Sequence, residues 1–246
     1  MGANLQPADG PARDPLRCLQ PGCGRPTWNG APDEFCSRTC RQAGLPHAIC
    51  VPASPAKYKD IASHFAGKYS GAAPQIKAIW EIKANKSVRD RFYAKCQALG
   101  NVKVHNCGTN PGNQQRRFHG TLLSCAFNGA PCGNGACRVC CIIQHGFSIA
   151  KLGQNTGDLG VYGPGHYSSS SSSTAVAYNR SSKAVLVVRV AVGVADVSNN
   201  SGSLPAGYHA RVVNMGSGLP WLLDIGDELV VPEDSQMLPA YLILLA

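Results

Sequence analysis

Cys18, Cys23, Cys36 and Cys40 stand with four, twelve and three residues between them, and Gly, Pro and Asn fill the central gap. Zinc takes four ligands in a tetrahedron, and cysteine pairs on short turns bring two thiolates to one ion without strain. The stretch "FCSRTC" supplies the second pair and is expected to open a short helix. A second group, Cys125, Cys132, Cys137 and Cys140, offers the same chemistry, with the adjacent Cys141 as an alternative ligand to Cys140. Four sulfurs leave no open coordination position, so both zinc sites are expected to be structural. Cys50, Cys96 and Cys107 fit neither spacing, and each is expected to be a small buried hydrophobe.

Three other segments follow one another along the chain: "FHGT" at 118–121, "GHYSSSSSSTAVAY" at 165–178 and "DELVV" at 227–231. In order and interval they resemble the catalytic core of the poly(ADP-ribose) polymerase-like ADP-ribosyltransferases, whose His-Tyr-Glu triad sits on widely spaced strands. Tyr167 and Tyr178 are eleven residues apart, as the two tyrosines of that family are, whereas Tyr162 in "GVY" gives the wrong interval. With "RRFHGT", a cysteine loop running into "CCIIQHGF", "LPAGYHARVV" and "GDELVVPEDSQMLPAYLILLA", the chain looks closest to a fungal-type subgroup with a zinc-binding insertion after the His strand.

The resemblance implies an NAD⁺-dependent ADP-ribosyltransferase, a glycosyltransferase that cleaves the nicotinamide–ribose bond and passes ADP-ribose to a protein or nucleic-acid acceptor. Whether one unit or a chain is transferred stays open. It implies catalytic roles for His119, Tyr167 and Glu228, and NAD⁺ contacts from His119, Gly120, Thr121, Tyr167, Ser173 and Tyr178. Each assignment has a physical reason. Cleavage passes through an oxocarbenium-like state that a carboxylate such as Glu228 stabilises. Two tyrosine rings can sandwich the flat nicotinamide cation. His119 would bond the adenosine ribose, and Gly120 would open its backbone to the carboxamide. One departure stands out: the family's carboxamide-binding serine, three positions before the second tyrosine, is Ala175 here, with Ser173 as the expected substitute.

These groups need a frame. The resemblance implies an α+β fold, a split β-sandwich of two antiparallel sheets with flanking helices, over residues 56–246, with the zinc-held insertion at 122–141. Before it, 1–16 read as disordered, 17–45 as a zinc knuckle and 46–55 as a Pro-rich linker. Residues 56–100 read as helix, strand, helix, and the apolar runs 184–197 and 238–246 as buried strands, too short to span a bilayer. The serine run reads as a turn, with Ser172 or Ser173 capping the helix that carries Tyr178.

With 44% apolar and 15% charged residues the composition is that of a globular chain. No signal peptide or membrane segment is evident, and 12 cysteines then point to a reducing, intracellular compartment, nuclear or cytoplasmic. Residues 51–118 hold 12 of the 23 basic residues against 3 of the 14 acidic ones. That block supports a rival reading, a zinc-dependent nucleic-acid-binding protein with an inactive transferase fold that makes its contact through 51–118.

Overall fold

The computed structural model describes residues 14, 16–18, 20, 23–32, 34–43, 46–103, 109–153, 160–179, 183–198, 200–214 and 227–246. The chain divides into two compact units, Met1–Leu45 and Pro46–Ala246. Cys107, residues 215–221 and all of 1–16 except Asp14 and Leu16 lie outside the described residues. In the first unit an isolated bridge pairs Arg17 with Pro26. Helix α1 (Arg38–Ala43) follows "FCS", and the Ser37 hydroxyl oxygen accepts the Cys40 N–H at its start.

The second unit begins with β1 (His47–Cys50), α2 (Ala56–Gly67), β2 (Ile76–Lys83), α3 (Lys86–Leu99) and β3 (Asn101–Lys103). It continues through β4 (Thr109–Pro111), β5 (Gln114–Gly120), α4 (Arg138–His145), β6 (His166–Ser169) and α5 (Ser172–Ala177). Strands β7 (Ala184–Ala191), β8 (Ala195–Asp196), β9 (Ala210–Asn214), β10 (Asp227–Val231) and β11 (Met237–Leu245) complete it, with 3₁₀ turns at Ile149–Lys151 and Asp234–Gln236. The helix, strand and helix expected over 56–100 are present as α2, β2 and α3. Asn85 caps α3 by accepting the Ser87 N–H at 3.1 Å, and Gly100 ends it at a φ of 69°.

Two expectations need correction. The supposed linker 46–55 contains β1, which pairs antiparallel with β2 over four residues, because the prolines flank this strand rather than interrupt it. The sheets expected as separate are also joined to each other. One nine-stranded sheet runs β1-β2-β11-β7-β5-β6-β10-β9-β8, its β8–β9 pair parallel, beside a small β3-β4 sheet. Its two halves meet where β5 touches β6, and that ladder is a single residue pair, Phe118 with Ser169.

Alternation along β7 shows why its sequence is apolar throughout. Leu186, Val188 and Val190 pack into one core with Val88 and Phe92 of α3 and Val139 and Ile143 of α4. Val185 and Val187 face the other core, with Ile61 and Phe65 of α2, Phe118 and Ile243. A strand buried on both faces cannot alternate polar with apolar residues.

Phe65 is fully buried and meets the Phe118 ring edge-on at 6.0 Å. Phe65→Ala is therefore expected to cost about 3–5 kcal/mol in urea unfolding. Lys86→Ala, which breaks an ion pair with both side chains more than half exposed, should stay within about 0.5 kcal/mol.

Candidate active site and metal centres

Cys18, Cys23, Cys36 and Cys40 converge, as do Cys125, Cys132, Cys137 and Cys140, each set with its sulfurs within 4.8 Å of one another. Zinc–sulfur bonds of about 2.3 Å require sulfur–sulfur edges of about 3.8 Å in a tetrahedron. The edges found are 3.6 Å for Cys23–Cys36, 3.7 Å for Cys23–Cys40 and 3.5 Å for Cys36–Cys40. In the second set Cys125 lies 3.6 Å from Cys140 and 3.8 Å from Cys137. These distances fit one ion per set and are far too long for disulfides.

Backbone N–H groups favour one thiolate in each site, Cys18 and Cys137, while burial raises the thiol pKa of Cys36, Cys125 and Cys140. Cys18 Sγ accepts the N–H groups of Cys36 at 3.2 Å and Gln20 at 3.4 Å. Burial pushes its thiol pKa up, but those bonds outweigh it and hold the group at about 7. Cys137 sits at the N-cap of α4 and accepts the Ser124 N–H at 3.4 Å; burial is again outweighed, and its thiol titrates at about 7. The choice between Cys140 and Cys141 is now made: Cys140 joins the tetrad, and Cys141 Sγ turns to the carbonyls of Asn134 and Gly135. Cys96 is buried as expected, but Cys50 is exposed at the end of β1, next to the loop entering α2.

A cleft of about 890 Å³ opens in the second unit, and His119, Gly120, Thr121, Tyr167, Tyr178 and Glu228 all line it. The strand pairings account for this convergence. Phe118 of β5 faces Ser169 of β6, and Ser169 faces Glu228 of β10, so one rung joins the three strands. Tyr167 lies two residues before Ser169, opposite Val230, and so shares its face. Gly120 is needed for contact: a Cβ there would stand 1.8 Å from the Ala175 carbonyl oxygen of α5.

His119 Nδ1 lies 2.7 Å from the Tyr167 carbonyl oxygen. A carbonyl only accepts, so Nδ1 carries the proton and Nε2 keeps its lone pair for a donor in the cleft. Burial lowers the His119 pKa to about 4, against the raising effect of that bond. The ring is therefore neutral at pH 7, as an acceptor must be. Burial raises the Glu228 pKa above the ordinary carboxylate value. The Tyr167 hydroxyl donates to Gly163 O at 2.7 Å and accepts the Tyr162 N–H at 3.0 Å, which fixes the ring before any ligand arrives. A Cβ on Gly160 would strike that hydroxyl at 2.3 Å.

The serines have distinct positions. Ser172 is fully buried and donates to Phe65 O at 2.7 Å, tying α5 to the end of α2. Ser171, rather than Ser172 or Ser173, caps α5 by accepting the Thr174 N–H. Ser173 is not among the residues lining the cleft; its Oγ bonds Ser171 Oγ at 2.8 Å and accepts the Ser70 N–H at 3.4 Å. The expected substitute for the serine missing at Ala175 is thus occupied elsewhere.

Sequence reasoning missed Ser168 and the pair His166–Asp234, which also line the cleft. Among the described residues the buried Ser168 Oγ has no hydrogen-bond partner, an arrangement that costs about 1–3 kcal/mol unless a ligand satisfies it. His166 Nε2 donates to Asp234 at 2.9 Å, and burial, only partly offset by that carboxylate, lowers the His166 pKa.

Several cations of the basic block at 51–118 have carboxylate partners. Glu81 pairs with Lys57 and Lys83, Asp90 with Lys86, Glu233 with Lys95 and Asp60 with Arg116, while Arg117 is buried. Among the described residues no helix is long and apolar enough to cross a membrane. In comparisons with known proteins, no family model matches the chain and no curated protein matches it significantly.

Two predictions follow from this geometry. Cys140→Ser should drop the zinc content of purified protein from two ions per chain to one, and Cys141→Ser should leave it at two; equal zinc in both variants would contradict the ligand assignment. For His119, the unfolded chain takes up a proton near pH 6.5 that the folded chain refuses until about pH 4. Stability is therefore lost as pH falls through that window, by roughly 2–3 kcal/mol between pH 7 and 4.5. Urea unfolding of His119→Gln should show a pH dependence smaller by that amount.

Proposed function

We propose that the protein is an NAD⁺-dependent ADP-ribosyltransferase and that the second unit is its catalytic domain, a split β-sandwich. The observation that carries the reading is the convergence on one cleft of His119, Tyr167, Tyr178 and Glu228, residues drawn from three strands and the end of a helix. The near-separation of the large sheet at Phe118–Ser169 supports the sandwich assignment.

NAD⁺ is the substrate. Tyr167, its hydroxyl already bonded to the chain, and Tyr178, half exposed at the cleft, offer two ring faces to the nicotinamide cation. Neutral His119 accepts a ribose hydroxyl through Nε2. Ser168 supplies a buried hydroxyl whose hydrogen bond a ligand completes. As the C1′–N bond breaks, its electron pair leaves on nicotinamide, which departs neutral, and positive charge builds on the ribose ring. The carboxylate of Glu228 stabilises that charge. An acceptor hydroxyl oxygen then forms the new bond at C1′ while its proton passes to Glu228. Burial, which raises the Glu228 pKa, makes it a better proton acceptor than an exposed carboxylate.

Incubation with NAD⁺ labelled in the adenosine tests this directly. Wild-type protein is expected to release nicotinamide and transfer label, and Glu228→Gln to be slower by about 10²-fold or more. Activity should fall on acidification as Glu228 takes up its proton. Equal inertness of wild type and Glu228→Gln would refute the reading.

A further inference from the structure

The cleft is also lined by basic residues that the proposed chemistry does not use. Arg91 of α3, Arg138 and His145 of α4, and Lys151 of the following 3₁₀ turn all line it. Three of these four residues lie outside the basic block at 51–118. Helix α4 is two-sided: Val139, Cys140 and Ile143 are buried, while Arg138, Cys141, Ile142 and His145 face the cleft. Arg138 donates to Gly135 O at 3.0 Å, which orients its guanidinium. Arg91 reaches the far end of the same helix, since a Cβ on Gly146 would lie 3.7 Å from its terminal nitrogen.

Among the described residues no carboxylate pairs with Arg91, Arg138, His145 or Lys151. Among the described residues the acids lining the cleft are Glu228 and Asp234, and Asp234 is taken up by His166 and by the Ile149 N–H at 2.6 Å. The contrast with Lys57, Lys83, Lys86, Lys95 and Arg116, each held by a carboxylate, is direct. Length then discriminates between ligands. Arg138 and His145 are seven residues apart on one helix face, about 10 Å along its axis. Two adjoining phosphates of a dinucleotide are shorter than that. A nucleic-acid strand, with one phosphate per roughly 3.4 Å of axis, places about three along it. Arg91, Arg138, His145 and Lys151 line a cleft rather than an open surface, which admits a single flexible strand more readily than a rigid duplex.

We infer that Arg91, Arg138, His145 and Lys151 form a binding strip for the sugar–phosphate backbone of a single-stranded nucleic acid, laid beside the cleft as the acceptor of ADP-ribose. Its acceptor role rests on the transferase reading above; strand binding does not.

The test uses the full chain and fluorescein-labelled oligothymidylate and oligouridylate of about twelve nucleotides, followed by anisotropy at about 50 and 200 mM salt. Wild type should bind with affinity falling steeply with salt. Arg138→Gln with Lys151→Gln should weaken binding at least tenfold and flatten the log–log salt slope by about 1.4. The control pair Lys57→Gln with Lys86→Gln should change neither. A preference between the two oligonucleotides identifies which sugar the strip takes. Unchanged binding in the strip variant, or salt-independent binding by wild type, would overturn the inference. So would a strip variant that retains strand binding but shows a raised KM for NAD⁺ in nicotinamide release, because the cations would then serve the dinucleotide. Intact strand binding by a wild type that releases no nicotinamide would remove the transferase reading and leave the strip standing.

Discussion

The fold turns on one short contact, the single ladder pair between Phe118 of β5 and Ser169 of β6. On one side of it lies the half-sheet built on β7 and β11, and on the other the half that contains β10. Had β5 and β6 paired along their length, backbone hydrogen bonds would have filled the space between the halves. Because they meet at one rung, the strands leave a cleft, and the residues beside that rung line it. His119 follows Phe118, Tyr167 precedes Ser169 by two, and Glu228 pairs with Ser169 from the other side. Gly120 extends the constraint, because only the absence of a side chain lets β5 approach the Ala175 carbonyl of α5 this closely.

The second cysteine tetrad serves the same cleft from behind. Residues 121–137 form no helix or strand, so packing holds what a ladder cannot, and an ion on the tetrad would add to it. Packing contributes where Phe127 meets Trp80 edge-on at 5.5 Å and where the Ala48 N–H donates to Gly129 O at 2.6 Å. The tetrad adds Cys137 at the N-cap and Cys140 within α4, and thereby fixes the helix whose other face carries Arg138 and His145. A thiolate at the start of α4 also faces the positive end of the helix dipole.

Much of this was legible in the sequence, for identifiable reasons. The cysteine tetrads could be read because zinc demands four sulfurs at turn-compatible spacing, and α2, β2 and α3 because their patterns and breaks are local. The cleft residues could be read only from an order and interval spanning more than 100 positions, as no single segment is specific. What could not be read depended on tertiary contact. Cys140 and Cys141 differ by one helical step, and only the core beneath α4 separates them. Ser171, not its neighbours, caps α5 because Ser172 is drawn to the end of α2. Strand β1 was hidden by its prolines, and the cationic strip by its dispersal over three elements. The buried hydroxyl of Ser168 looked like one serine among six.

The most direct test of the account is calorimetric binding of an NAD⁺ analogue in which a carbon replaces the ring oxygen of the nicotinamide ribose, so that no cleavage intervenes. Wild-type protein should bind it one to one. Tyr178→Ala, which removes a half-exposed ring at the end of α5, should weaken binding by about tenfold without altering the unfolding midpoint. No binding by folded wild type, or equal affinity in wild type and Tyr178→Ala, would contradict the claim that this cleft is built for nicotinamide.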